Sequence, residues 1–216
     1  MRVKKITDPA QFHREDVQVL SSETVFQGFM RLLRVRLKHR LFAGGWSAEV
    51  ERELLQKQEG AAAIVYDPTH DLIGFVEQFR IGVFTGEDGA IAQSPWCLEC
   101  VAGMVEAGED PQSLILRELY EEAGISGADL RFITSYYSTP GGCNEKIHLF
   151  CALCDLSQAG GLYGLENEGE DILFATYAAD DVFEAMLNNE SRLNNAATLL
   201  GLQWLQRYRP GLRQGQ

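Results

Sequence analysis

The sequence predicts an α/β fold in which a mixed β-sheet is covered by helices. Short segments with the apolar or alternating pattern of β-strands recur along the 216-residue chain, and they do not alternate regularly with helices as in βαβ units. One helix, over residues 111–123, has clear start and stop signals, and the C-terminal part of the chain has the periodicity of amphipathic helices. These observations predict one sheet with helices packed against it.

The N-terminal part predicts strands, although residues 25–42 carry five Lys and Arg side chains and could suggest a membrane-binding helix. Apolar side chains at Phe29, Leu33 and Val35 fall on one parity, and basic side chains fall on the other. That two-residue period is typical of a strand with a basic face. A further strand is predicted within residues 46–58.

Two apolar runs on either side of a turn predict a β-hairpin over residues 60–80. The turn, Asp67 to Asp71, contains Asp and Pro, which favour tight turns. A glycine-containing loop follows at 81–95. Further strands are predicted at 130–138, 146–156 and 172–178, and amphipathic helices at 180–189 and 194–209.

The helix over 111–123 has a complete set of boundary signals. Asp110 is a suitable N-cap, Pro111 suits the first helical position, and Gly124 suits a left-handed stop. The predicted apolar stripe of this helix consists of Leu116, Leu119, Tyr120 and Ala123.

Charge and hydropathy exclude several classes of protein. The net charge is -12 with a pI of about 4.8, which argues against nonspecific binding to nucleic acid or to anionic membranes. No apolar stretch approaches the ~20 residues of a transmembrane helix, and residues 1–17 lack the apolar region of a secretory signal. A cytoplasmic protein with reduced cysteines is therefore expected.

Two CxxC pairs, Cys97/Cys100 and Cys151/Cys154, have two interpretations. Four cysteines at such spacing can bind zinc, but both pairs lie in short apolar runs without glycine-rich knuckles. In a strand, residues three apart point to opposite faces, so one pair could not chelate one ion. Small apolar residues of strands are the favoured interpretation.

The acidic face of the 111–123 helix predicts a bound cation. Glu118, Glu121 and Glu122 share one face, and like charges at this spacing destabilise an isolated helix by roughly 0.2–0.5 kcal/mol per pair. A hard cation with oxygen ligands would offset this repulsion. Mg²⁺ is the expected ion, with Mn²⁺ as an alternative.

The same region resembles the Nudix hydrolase family. The residues that match the family's signature, without departure, are Gly103, Glu109, Arg117, Glu118, Leu119, Glu121, Glu122, Gly124 and Ile125. Pro140, sixteen residues after Gly124, occupies the position that marks the ADP-ribose pyrophosphatases within this family. The resemblance extends from about residue 27 to residue 208.

The resemblance implies a Nudix fold, an α/β/α sandwich with a mixed sheet. It also implies an N-terminal β extension over 1–56, exchanged between the subunits of a homodimer, and a hydrolase domain over 57–216. The implied activity is Mg²⁺-dependent hydrolysis of ADP-ribose to AMP and ribose 5-phosphate, by in-line attack of an activated water. The alternatives are another nucleoside diphosphate-sugar, such as GDP-mannose or ADP-glucose, and a sensor that binds ADP-ribose without cleaving it.

The resemblance also assigns roles around the metal. Glu118 and Glu122 are implied ligands together with the backbone carbonyl of Ala102, Glu121 is a weaker ligand, and Glu170 is a further ligand. Glu168 is the implied general base, and Glu166 offers an alternative register. Arg117 and Glu109 are expected to orient the carboxylates, and for Arg117 a plain surface pair with Glu121 is equally compatible with the sequence.

For the substrate, the resemblance implies contacts from Phe29, Arg52, Arg80, Met104 and Glu145. The first two would come from the partner subunit of the dimer. Phe29 also has a structural interpretation, since its parity allows a place in the core. Arg80 ends an apolar run at a loop, which suits a phosphate contact. The loop over 82–94 is longer than the resemblance leads one to expect.

Overall fold

The computed structural model describes residues 5–84, 94–106, 108–165 and 169–214. The chain forms two compact units, Met1–Lys57 with Thr139–Glu145, and Gln58–Ser138 with Lys146–Gln216. The division of the chain into an N-terminal extension over 1–56 and a hydrolase domain over 57–216 stays a prediction.

The N-terminal unit contains an antiparallel three-stranded sheet. Its strands are β1 (Val17–Gln27), β2 (Arg31–His39) and β3 (Val50–Gln56), in the order β1-β2-β3. The prediction of a single strand over 25–42 was wrong, because the chain turns at residues 28–30 and begins a second strand.

Part of the basic face of β2 is engaged in ion pairs. Arg34 forms ion pairs with Glu23 of β1 at 2.8 Å and with Glu51 of β3 at 3.4 Å, and Arg36 pairs with Glu49. Two of the alternating basic residues, Arg34 and Arg36, therefore belong to ion pairs within this unit.

The second unit contains an eight-stranded mixed sheet, as predicted. Its strands are β4 (Gly60–Asp67), β5 (Leu72–Phe79), β6 (Trp96–Glu99), β7 (Val101–Met104), β8 (Asp129–Tyr137), β9 (Lys146–Leu153), β10 (Gly161–Tyr163) and β11 (Ile172–Ala178). The order is β10-β11-β5-β4-β9-β8, with β6 paired to β5 and β7 paired to β4. Strands β4 and β9 are parallel, and the other pairs are antiparallel. The short β10 is not among the strands that the sequence predicted.

Helices cover both faces of this sheet, which confirms the α/β/α sandwich. They are α1 (Pro111–Ala123), α2 (Ala179–Leu187) and α3 (Ala196–Arg213). Alternate residues of β4 belong to two apolar clusters, one shared with α1 and the other shared with α2 and α3. Burial of β4 on both faces explains its continuous apolar run. Within the described residues, none of the helices has the length and apolarity needed to cross a membrane.

Helix α1 begins and ends as predicted but buries a different face. Asp110 accepts hydrogen bonds from the backbone N–H groups of Gln112 and Ser113, and Gly124 adopts the left-handed conformation with φ 66°. Leu116 and Tyr120 of the predicted stripe are exposed. The buried residues of the helix are instead Leu114, Ile115, Leu119, Glu122 and Ala123. One of the acidic side chains therefore lies on the packed face.

The five cysteines are free thiols. Cys100 and Cys151 are buried in the apolar cluster shared with α2 and α3, and burial raises the pKa of Cys100 to about 12. A thiol in this environment stays protonated and is a poor metal ligand.

Candidate active site

Helix α1 and strand β7 lie side by side and form the centre of the site. The carboxylate of Glu122 accepts a hydrogen bond from the backbone N–H of Ala102 at 3.1 Å, and its residue is only 3% exposed. Gly103 makes room for the neighbouring acid, because a Cβ at this position would lie 2.0 Å from Oε1 of Glu118. The helix can approach the strand this closely because residue 103 has no side chain.

A third carboxylate reaches this centre from a distant part of the chain. Glu170 lies just before β11, and its carboxylate accepts a hydrogen bond from the backbone N–H of Leu165 at 3.1 Å. Its negative charge raises the pKa of both Glu118 and Glu122. Gly164 adopts a φ of 102°, and a Cβ there would lie 2.8 Å from the Cβ of Glu170. The charge of Glu170 therefore acts on both carboxyls of the helix, and the role of the three residues as metal ligands stays a prediction.

The pKa values of the two central carboxyls are strongly raised. Burial is the main cause, and repulsion by neighbouring acids adds to it, so that the pKa of Glu118 is about 7 and the pKa of Glu122 is about 8. The positive charges of Arg117 and Arg80 oppose this increase only in part. A divalent cation would compensate the charge that burial penalises, and a set of oxygen donors suits a hard ion such as Mg²⁺.

Arg117 connects the acidic residues of this region. Its Nη1 donates to Glu118 at 3.0 Å and to Glu121 at 2.8 Å, and its Nε donates to Glu109 at 3.3 Å. The ion pair between Arg117 and Glu121 is present, and it is one of three contacts between Arg117 and a carboxylate. The guanidinium therefore contacts three carboxylates, and its predicted orienting role stays a prediction.

Two of the predicted substrate contacts lie in the same unit as the carboxylates. Arg80 follows β5, its Nε donates to Glu99 at 2.6 Å, and its charge lowers the pKa of Glu122. Met104 ends β7 beside Gly103 and is largely exposed. The participation of both side chains in substrate binding stays a prediction.

The other predicted contacts lie in the N-terminal unit. Phe29 is in the turn between β1 and β2 and is 89% exposed, so its interpretation as a core residue was wrong. Arg52 lies on β3, and its Nη1 donates to the backbone carbonyl of Glu51 at 2.8 Å. Glu145 forms an ion pair with Lys57. The participation of these residues in substrate binding stays a prediction.

Glu166 and Glu168, the candidates for the general base, lie outside the described residues. So do residues 85–93, which form most of the loop that was noted as long. The described geometry is therefore that of Glu118, Glu122 and Glu170 and of the residues that contact them.

Sequence reasoning missed two residues that support the site, Glu99 and its partner Asn195. Glu99 is only 7% exposed and accepts hydrogen bonds from Arg80 at 2.6 Å and from Asn195 at 2.7 Å. A signal for Glu99 was present, since it is the one charged residue in the apolar run from Trp96 to Met104. A lone carboxylate in such a run predicts a buried, partnered charge.

A separate group of possible metal ligands is better explained by folding. Ligand atoms of Asp67, His70 and Asp155 lie within 4.8 Å of one another. The carboxylate of Asp67, however, already accepts hydrogen bonds from the backbone N–H groups of Thr69, His70 and Leu156 and contacts Nδ1 of His70. This carboxylate holds the turn of the β4–β5 hairpin.

The geometry agrees with what comparison with known proteins finds. The NUDIX domain matches residues 56–192. The chain is 42% identical to an ADP-ribose pyrophosphatase of Haemophilus influenzae over 94% of this chain and 92% of that protein. It is 34% identical to an ADP-ribose pyrophosphatase of Escherichia coli K12 over 95% of both chains. A GDP-mannose pyrophosphatase of Salmonella typhimurium is 28% identical over 72% of this chain and 78% of that protein.

Proposed function

The chain belongs to the Nudix family, and from that premise we propose that it hydrolyses the diphosphate of ADP-ribose to AMP and ribose 5-phosphate. The observation that carries the proposal is the pair of buried carboxyls of α1, Glu118 and Glu122, whose raised pKa values are raised further by the negative charge of Glu170 from a distant loop. Such a cluster is suited to binding the cations that neutralise a diphosphate. The ADP-ribose pyrophosphatases among its relatives support the choice of substrate.

The proposed cofactor is Mg²⁺, and Mn²⁺ can use the same oxygen ligands. Glu118, Glu122, Glu170 and the carbonyl oxygen of Ala102 would hold it, with Glu121 as a weaker ligand. When bound, Mg²⁺ supplies charge neutralisation of the diphosphate and activation of a water for in-line attack at phosphorus. Arg117 keeps the carboxylates in position through its hydrogen bonds to Glu118 and Glu121.

The remaining roles belong to the substrate and the proton. Arg80 would bind the diphosphate through its guanidinium, and Met104 and Glu145 would contact the nucleoside diphosphate-sugar. Glu168 would accept the proton of the attacking water as general base. Because Glu118, Glu121 and Glu122 of the signature are all retained, cleavage is favoured over binding without cleavage.

We further propose a cytoplasmic homodimer built through residues 1–56, with the hydrolase domain over 57–216. Phe29 would stack on the adenine bound by the partner subunit, and Arg52 would contact the same ligand. The nearly complete exposure of Phe29 supports this role, because an aromatic ring in an exposed turn is available to a planar base.

With Mg²⁺, the protein is expected to hydrolyse ADP-ribose with a kcat/KM at least about tenfold above those for GDP-mannose and ADP-glucose, a difference of about 1.4 kcal/mol in transition-state binding. Chromatography of the products should give AMP and ribose 5-phosphate. The same reactions with EDTA in excess serve as the control and should show no turnover. A kcat/KM for GDP-mannose well above that for ADP-ribose would replace the proposed substrate.

Replacement of the proposed base is expected to separate the two candidate glutamates. Glu168→Gln should lower kcat for ADP-ribose by about 10²–10⁴-fold, the usual contribution of a general base, while Glu166→Gln leaves it within about threefold. Steady-state rates at saturating Mg²⁺ and substrate measure both effects, and Glu166→Gln is the matched control. The reverse result would place the base at residue 166.

A further inference from the structure

Arg80 is fixed to the protein at its backbone and at the inner nitrogen of its side chain. Its backbone N–H donates to the carbonyl of Pro95 at 2.8 Å, and its carbonyl accepts from the N–H of Val83 at 3.0 Å. Its Nε donates to the carboxylate of Glu99 at 2.6 Å. Among the described residues, no hydrogen bond engages its two terminal nitrogens, and these are the atoms with which a guanidinium binds a phosphate in bidentate fashion.

Glu99 holds Arg80 from a buried position. It ends β6, and its two oxygens have different partners, because Oε2 accepts from Arg80 at 2.6 Å and Oε1 accepts from the side-chain amide of Asn195 at 2.7 Å. A carboxylate that is only 7% exposed carries a large desolvation penalty unless such partners are present. Each oxygen therefore has a defined direction.

Asn195 connects this carboxylate to the start of helix α3. Its Oδ1 caps the helix by accepting from the backbone N–H of Thr198 at 2.8 Å, while its amide nitrogen donates to Glu99. The hydroxyl of Thr198 accepts from the backbone N–H of Cys100 at 3.0 Å. The first turn of α3 is thus attached to the end of β6 by two side chains.

We propose that Glu99 and Asn195 are positioning residues that hold the Arg80 guanidinium with its terminal nitrogens directed at the diphosphate of the substrate. This inference rests on the proposed function for the identity of the ligand. Glu99 takes the inner nitrogen, Asn195 sets the rotamer of Glu99, and the N-terminus of α3 sets Asn195. A helix remote in sequence from the signature thereby contributes to diphosphate binding.

The test measures binding of inorganic diphosphate in the presence of Mg²⁺ by calorimetry, so that it does not depend on turnover. Glu99→Gln keeps the size of the side chain but replaces one of its two oxygen acceptors with an N–H₂ group, which cannot accept a hydrogen bond. Arg80 and Asn195 both donate to Glu99, so only one of them keeps an acceptor in the variant. It should weaken diphosphate binding about 10- to 100-fold, the effect of losing a hydrogen bond to a charged group. Asn195→Ser keeps a good N-cap but removes the amide donor, and it should weaken binding about 3- to 10-fold, the effect of losing an ordinary hydrogen bond.

A double-mutant cycle with Arg80→Ala distinguishes positioning from a general structural role. If Glu99 acts through Arg80, Glu99→Gln should change diphosphate binding less than about twofold in the Arg80→Ala background. The proposal would be overturned if Glu99→Gln weakened diphosphate binding by the same factor in both backgrounds. It would also be overturned if Glu99→Gln had no effect in the wild-type background, or if the wild type did not bind diphosphate. Thermal melting identifies a variant that fails to fold, and Asn195→Ser then supplies the second leg of the cycle.

The proposed function can fail independently of this inference. If the wild type binds diphosphate and the cycle shows coupling but no nucleoside diphosphate-sugar is hydrolysed, the positioning of Arg80 stands and the proposed reaction is wrong. If ADP-ribose is hydrolysed and the cycle shows no coupling, the reaction stands and the role of Glu99 and Asn195 is wrong.

Discussion

Glu122→Gln is expected to abolish Mg²⁺-dependent hydrolysis and, at the same time, to stabilise the metal-free protein at alkaline pH. Removal of a metal ligand forfeits several kcal/mol of transition-state stabilisation, so kcat/KM should fall on the order of 10³-fold or more. The carboxamide can still accept the hydrogen bond from Ala102, and it carries no charge that burial penalises. Activity and stability should therefore move in opposite directions.

The pH dependence follows from the raised pKa of Glu122, which is about 8 in the folded protein compared with an ordinary value of 4.5. Below the ordinary value, the carboxyl is protonated in both the folded and the unfolded state, and the substitution has little effect on stability. As the pH rises from the ordinary to the raised value, the unfolded chain releases the proton and the folded protein retains it, so stability falls by about 1.4 kcal/mol per pH unit. Above pH 8 the folded protein holds a buried charge. The stability gained by Glu122→Gln should therefore be small at about pH 5 and largest at about pH 9.

Thermal melting in EDTA at pH 5, 7 and 9, together with kinetics in Mg²⁺, tests both effects. Glu184→Gln, which removes an exposed carboxylate from α2, is the matched control and should change neither the activity nor the pH dependence of melting. At pH 9 the melting temperature of Glu122→Gln should exceed that of the wild type by about 5 °C or more. Hydrolysis within threefold of the wild type would show that Glu122 is not a metal ligand.

The parts of the site that were predicted from sequence depend on local spacing. The caps at Asp110 and Gly124, and the sharing of one face by Glu118, Glu121 and Glu122, follow from the geometry of a single helix. The repulsion between these acids predicts a cation without any knowledge of the fold. The role of Glu170 required the resemblance to a family, because no local pattern connects it with α1.

The parts that were missed depend on tertiary packing. Periodicity placed Leu116 and Tyr120 on the buried face, but the sheet selects a neighbouring face that includes Glu122. Hydrophobicity alone would leave a glutamate exposed, and the proposed metal site accounts for the place of Glu122 on the packed face. Likewise, the turn at residues 28–30 interrupts an alternation that continues on both sides, and the alternation therefore concealed a hairpin.

The contact between Glu99 and Asn195 illustrates the same limit. A buried charge in a strand predicts that some partner exists, but the partner is 96 residues away in sequence, and any polar side chain could have served. Only the packing of α3 against the sheet identifies Asn195. Positioning residues such as Asn195 can be identified only in the structure, because asparagine is a common residue type and only its location beside Glu99 distinguishes it.

The second large effect is expected from Gly103→Ala, which adds one methyl group to the site and removes no functional group. The new Cβ would lie 2.0 Å from Oε1 and 2.4 Å from Cδ of Glu118, so the carboxylate must move. Residue 103 lies in β7 and pairs with Ala61, and alanine is compatible with an extended backbone. The fold should therefore persist with an altered metal site, and kcat/KM should fall about 10²-fold or more, because displacements of about 1 Å at a reacting centre have effects of that size.

Titration of Mg²⁺ against activity measures the loss, which should appear as a higher Mg²⁺ requirement together with a lower maximal rate. Gly211→Ala is the matched control, since a Cβ at Gly211 of α3 meets no atom within 4 Å, and it should retain wild-type activity. The double variant with Glu118→Ala gives the decisive comparison, because alanine lacks Cγ, Cδ and Oε1, the three atoms that would lie within 2.7 Å of the new Cβ. In the Glu118→Ala background, Gly103→Ala should therefore have much less than its effect in the wild type. Equal effects in the two backgrounds would mean that the glycine is required by the strand and not by the carboxylate beside it.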